Sequence, residues 1–217
     1  MKQIITIIAC LLFTTLSFSQ STDFENYRIL EVGSISIPNN MEIQSGNYKK
    51  LSETYQKEMS KKFGFEVSDN RVVFQQKGLN ELEKKGLASY ARVILETEIG
   101  NYGDFEKLTT KFSATTQEIS EISKELKSQI QQSFTGTGLK LINWYGVSIV
   151  SINGRTALKI SYLRQLNDNP YVVVNMYRFQ NNDRLHSLTL SYRQSDETTW
   201  KPLFTKIANS FTITNVR

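Results

Sequence analysis

With one histidine, one cysteine and a formal charge of +5 over 217 residues, this chain lacks the ingredients of several function classes. A tight zinc or copper centre draws on several His and Cys ligands, and a hydrolytic triad needs a base that is usually histidine. The balance of 26 basic to 21 acidic residues is too even to neutralise a run of phosphates, so no nucleic-acid partner is expected.

Residues 1–20 have the build of a cleaved secretory signal: Lys2, an apolar core from Ile4 to Phe13, and a tail of mostly small or polar residues ending at Gln20. That core is shorter than the roughly 20 residues of a membrane span, so no transmembrane segment is expected. Cys10 follows Ile7-Ile8-Ala9 as in a lipoprotein cleavage box, but the apolar run continues through Leu11-Leu12-Phe13, which favours cleavage near Gln20. The expected product is exported, periplasmic or extracellular, with neither cysteine nor lipid anchor. Loss of Lys2 leaves 25 basic residues against 21 acidic. Residues 21–217 read as a single domain, long enough to bury a core without disulfides.

Tyr27–Pro38 predicts a first strand, with Leu30, Val32, Ile35 and Ile37 on the core face and a bulge where the phase slips at Gly33-Ser34. From Asn47 to Lys62, the spacing of Tyr48, Leu51, Tyr55 and Met59, with Phe63 just beyond, predicts one stripe of a helix that Gly64 can end. Its remaining surface carries Lys49, Lys50, Lys57, Lys61 and Lys62, either a solvated face or a surface for an anionic partner. Arg71–Lys77 reads as a short strand, and Leu79–Lys85 as a helical turn or polar connector. Ala88–Ile99 reads as a strand with Ala91, Val93 and Leu95 opposed to Tyr90, Arg92, Ile94, Glu96 and Glu98, in which Arg92 and Glu96 suggest a charge ladder. After the turn at Gly100–Asp104, Thr115 and Glu118 match the S/T-x-x-E capping box. The helix behind it repeats Ile119, Ile122, Leu126, Ile130 and Phe134, and Thr135-Gly136-Thr137-Gly138 stops it.

Leu139 to Arg193 predicts a four-stranded antiparallel meander. Asn153-Gly154 is the dipeptide a two-residue type I′ turn requires, while Asn167-Asp168-Asn169-Pro170 and Asn181-Asn182-Asp183 mark the other reversals. The third strand, Tyr171 to Phe179, carries apolar groups on both sides, Tyr171, Val173, Tyr177 and Phe179 against Val172, Val174 and Met176, as a sheet covered twice demands. At the C-terminus, Trp200, Leu203, Phe204 and Ile207 predict a shorter helix capped by Thr198 or Thr199, with Pro202 in its first turn. Ser210–Ile213 exits as a last strand.

The layout resembles the PsbP/DcrB-like fold in three places: Val32-Gly33-Ser34-Ile35-Ser36-Ile37-Pro38, Ile152-Asn153-Gly154 through Tyr162, and Phe204 through Ile207 to Ser210-Phe211. The expected fold is therefore α+β, an antiparallel sheet of six to seven strands flanked by helices as an α/β/α sandwich. The resemblance implies a small accessory or binding domain without known catalysis, in a superfamily whose members bind different partners.

Chemistry-bearing motifs are sparse. His186 shares a strand face with Leu188 and Leu190 and reads as a partly buried structural histidine. The two Asn/Asp turns lack the glycine and distal glutamate of an EF-hand. Gly136-Thr137-Gly138 follows a helix and has no phosphate-loop lysine. No catalytic, cofactor or metal residues are assigned, and the chain is not expected to be an enzyme. Its expected function is that of an exported non-enzymatic binding or accessory domain. It would recognise a protein partner through a sheet edge, exposed tyrosines such as Tyr102 and Tyr145, or the helix face of Lys49, Lys50, Lys57 and Lys61. The alternatives are a carrier of a small apolar ligand, suggested by the aromatic residues among the strands, and a hydrolase using His186. Glu96 and Glu98 as a glycosidase pair rank last.

Overall fold

The structure, a computed structural model, describes residues 22–50, 52–54, 71–109, 111 and 113–217. The expected signal at 1–20, and Lys57 and Lys61 of the first helix, lie outside the described residues.

The chain opens with a hairpin, β1 (Phe24–Ile29) against β2 (Gly33–Pro38). Where the sequence predicts one bulged strand, the chain reverses at Leu30-Glu31-Val32, and Glu31 takes a left-handed φ of 59°. The phase slip is thus the turn itself. Leu30, expected on the core face, is 84% exposed at its tip. β3 (Met41–Ile43) is followed by helical residues 46–50 and 52–54, then β4 (Arg71–Gln76), a helical turn at Lys84–Leu87 and β5 (Ala91–Ile99).

The capping box forms as read: the Thr115 hydroxyl accepts from the Glu118 N–H while the Glu118 carboxylate accepts from the Thr115 N–H, starting α1 (Thr116–Phe134). Then come the meander strands β6 (Leu139–Ile152), β7 (Arg155–Leu166), β8 (Val172–Asn181) and β9 (Arg184–Arg193). Each reversal places an asparagine, Asn153, Asn167 or Asn182, at positive φ, and Gly154 completes the two-residue turn between β6 and β7.

α2 (Glu197–Ser210) begins differently from expectation, because a 3-10 turn at Gln194–Asp196 leads into it and Asp196 takes the N-cap position. Thr198 and Thr199 lie inside the helix, and Pro202 sits one turn deeper than the first, where its missing N–H removes one helical hydrogen bond. β10 (Thr212–Ile213) ends the fold against β2.

Among the described residues, seven strands form one antiparallel sheet in the order β3-β4-β5-β9-β8-β7-β6. β1, β2 and β10 form a separate three-stranded sheet instead of joining it. The fold is α+β with an antiparallel sheet, as expected, but one covering layer combines α2 with this small sheet. The main core lies between that layer and one face of the large sheet, where Phe74, Val93, Leu188, Leu190, Phe204, Ile207 and Phe211 are all but inaccessible. Burying each such side chain stabilises by about 1.5–3 kcal/mol.

The opposite, outer face is covered at its β6–β8 end by α1. There Leu126, Ile130 and Phe134 pack with Trp144 around Ile160, Tyr162 and Val174. The Trp144 indole N–H donates to Ser123 Oγ at 2.9 Å and its ring stacks on Tyr162. β6 is the long edge of the sheet, and register shifts at Leu141/Asn143 and Trp144/Gly146 break its pairing with β7.

Candidate functional site

Two places concentrate polar chemistry. The first is a cleft of about 390 Å³ at one end of the large sheet, between the β1–β2 turn and the ends of β4, β5 and β9. Ile29, Val32, Val72 and Leu95 give it apolar walls; Arg71, Arg184, Glu31 and His186 give it polar ones. Arg184, 8% exposed, donates to Glu31 Oε2 at 2.9 Å.

His186 is 1% exposed, and both its ring nitrogens are engaged. The Asn181 amide is oriented by backbone partners: its Nδ2 donates to Asn215 O at 2.9 Å and its Oδ1 accepts from Arg217 N at 2.9 Å. Nδ2 therefore also donates to His186 Nε2 at 3.2 Å, which leaves Nδ1–H to donate to Thr97 Oγ1 at 3.0 Å. Burial pushes the imidazole down from 6.5 to about 4; the Arg184 guanidinium pushes the same way and Asp183 opposes it. A neutral ring with both nitrogens committed has no lone pair to offer a hydroxyl nucleophile, so the arrangement is structural.

The second place is the outer face between the helical residues 46–50 and 52–54 and α1. Alternation from the paired registers puts Arg71 of β4, Arg92 of β5, Arg164 of β7, Arg178 of β8 and Arg193 of β9 on that face. Glu42, Glu96 and Glu98 share the face, but among the described residues none of them forms an ion pair with these arginines. The charge ladder suggested by Arg92 and Glu96 does not form, because four strand residues span about 13 Å.

Arg92 is 7% exposed, and its partners among the described residues are neutral. It donates to Gln75 Oε1 and to the Tyr48 hydroxyl, and its Cζ lies 4.8 Å from the Tyr48 ring centroid and 5.6 Å from that of Tyr90. Arg164 donates to the Tyr90 hydroxyl at 3.1 Å. Burial alone would raise the Tyr90 phenol; Arg164 and Arg92 outweigh it and hold the group below its usual 10. A desolvated guanidinium costs several kcal/mol unless it is compensated, and the rings of Tyr48 and Tyr90 compensate only in part.

Of the lysine face named from the sequence, the described members are Lys49 and Lys50, both exposed and directly following Tyr48. Lys49 lies 3.7 Å from Glu53. Tyr102 and Tyr145 are exposed, at 81% and 51%, and neither joins the arginine cluster. The sequence reading missed Arg92 and Arg164 as a pair. Its one available signal is that each shares a strand face with a tyrosine, Arg92 with Tyr90 and Arg164 with Tyr162. Among the described residues no group of His, Cys, Asp and Glu is placed to hold a metal ion, and no helix is long and apolar enough to cross a membrane.

No family model matches the sequence. No curated protein matches it either. Similar solved structures include the PsbP protein of the cyanobacterium Synechocystis, 14% identical, covering 93% of this chain and 98% of that one with a TM-score of 0.49. A Bacteroides thetaiotaomicron protein is 7% identical and covers 83% of this chain but only 44% of its own length, with a TM-score of 0.41. A Pseudomonas aeruginosa protein of unknown function is 11% identical over 87% of this chain and 96% of that one, with a TM-score of 0.39.

Proposed function

We propose that this chain is an exported, non-enzymatic binding or accessory domain that recognises a partner through the outer face of its large sheet and the adjoining helix of Lys49 and Lys50. The observation that carries this reading is the state of His186: the one histidine in the chain is buried, neutral and hydrogen-bonded at both ring nitrogens. A packed core, with five arginines of the large sheet on one face, fits recognition better than bond-making. Export rests on the leader-like residues 1–20.

Capture from an envelope extract, with the intact chain and with Lys49, Lys50, Lys57 and Lys61 changed to Glu, tests the surface. Reduced recovery of a partner supports it; identical recovery of every captured protein removes the lysines from the reading. A hydrolase screen that loses a turnover on His186→Ala, while the variant keeps its fold, would overturn the non-enzymatic assignment.

A second reading, a carrier of a small ligand, is favoured by the 390 Å³ cleft, whose size falls within the range of small-molecule sites. Native mass spectrometry of protein purified from its own envelope tests it, with retained mass beyond the bare chain as the positive result.

A further inference from the structure

Among the described residues, the donors around Tyr48 and Tyr90 outnumber the acceptors they meet. A guanidinium has five N–H donors. Two of those on Arg92 go to Gln75 and Tyr48, and one on Arg164 goes to Tyr90. The Tyr48 oxygen accepts from Arg92, so its own O–H remains to donate. These groups arrive from different strands, β5 and β7, and from the helical residues 46–50, and both arginines reach the same phenol ring, Tyr90. Among the described residues, every partner they have there is uncharged.

We infer that Arg92, Arg164 and the Tyr48 hydroxyl form a binding site for a phosphate group on the outer face of the sheet. Two fixed positive charges match a dianion. Donors converging from several directions suit a tetrahedral group with several oxygens better than a planar carboxylate served by one guanidinium. Lys49 and Lys50, exposed beside Tyr48, would draw such a group in from solvent. The inference rests on the reading of this face as the recognition surface and gives that surface a ligand chemistry.

The test titrates the full chain with inorganic phosphate against sodium chloride at equal ionic strength, following thermal unfolding and the side-chain Nε–H resonances of the arginines. Phosphate raises the unfolding temperature where chloride does not, and shifts the signals of Arg92 and Arg164. Arg164→Gln weakens phosphate binding by at least tenfold, and Arg92→Gln does the same; should Arg92→Gln fail to fold, the half-buried Arg164 decides. Lys49→Glu with Lys50→Glu weakens it only a few-fold.

Co-sedimentation with phosphatidylglycerol vesicles that Arg164→Gln abolishes assigns the phosphate to a lipid headgroup. Phosphate binding without vesicle binding assigns it to a soluble phosphorylated ligand. Identical responses to phosphate and chloride, acetate binding tighter than phosphate, or an Arg164→Gln variant with unchanged affinity overturns the site. Phosphate binding without capture of any envelope partner refutes the docking reading and leaves the site standing; capture without phosphate binding does the reverse.

Discussion

Replacing His186 by glutamine keeps a hydrogen-bonding side chain between Thr97 and Asn181 and removes the titration. In the folded chain the imidazole protonates near 4, whereas unfolded it returns to 6.5. Between those values the unfolded state binds the extra proton, so stability is complete above pH 6.5 and falls as the pH drops toward 4. A difference of 2.5 pH units at about 1.4 kcal/mol each amounts to about 3 kcal/mol in all, of which about 2 kcal/mol is lost between pH 7 and pH 5. Urea unfolding at half-unit intervals from pH 7.5 to 4.5 measures this. The wild-type free energy is expected to decline more steeply than that of His186→Gln by that amount, whatever the variant costs at neutral pH. Parallel pH profiles for the two proteins would refute the assignment of a buried, neutral His186.

Thr115→Ala removes the hydroxyl half of the capping box and is expected to destabilise by about 1 kcal/mol, read as a lower urea midpoint with an unchanged slope. Phe204→Ala empties the space against Tyr192 and Trp200, 5.5 and 5.7 Å away by ring centroid, and is expected to cost about 3–5 kcal/mol; a loss under about 1 kcal/mol would mean that α2 does not seal the core. A Cβ at Gly33 would stand 1.9 Å from Thr212 O. Gly33→Ala therefore forces β10 away from β2, and faster hydrogen exchange at Ile213 and Thr214 than in the core strands is the expected sign. Asn153→Ala places an ordinary side chain at φ 48° and is expected to cost about 1–2 kcal/mol, measured by chemical denaturation.

Local rules accounted for the parts of this fold that are made locally. Asn153-Gly154 set the register of β6 and β7, and Thr115 with Glu118 set the start of α1, since each device lies within four residues of sequence. The same rules failed at Leu30-Glu31-Val32, a reversal with no glycine, proline or asparagine to mark it, where tertiary contacts hold Glu31 in its unusual conformation: the Arg184 guanidinium bonds its carboxylate and the Asn215 amide its carbonyl. They failed again at the start of α2, where the 3-10 turn moves the cap upstream of both threonines. The arginine cluster was illegible for another reason. Tyr48, Arg92 and Arg164 lie 44 or more residues apart along the chain, and only the pairing order β4-β5-β9-β8-β7 brings them over one surface.

The two boundaries of the large sheet differ in how they meet other molecules. β3 is three residues long and offers little backbone for a neighbour to copy. β6 is fourteen residues long and would be an inviting template, but its two register slips re-aim successive amides and skew the ribbon, so an incoming flat strand finds a broken ladder. An edge broken in this way is a poor template for pairing with another copy of the chain.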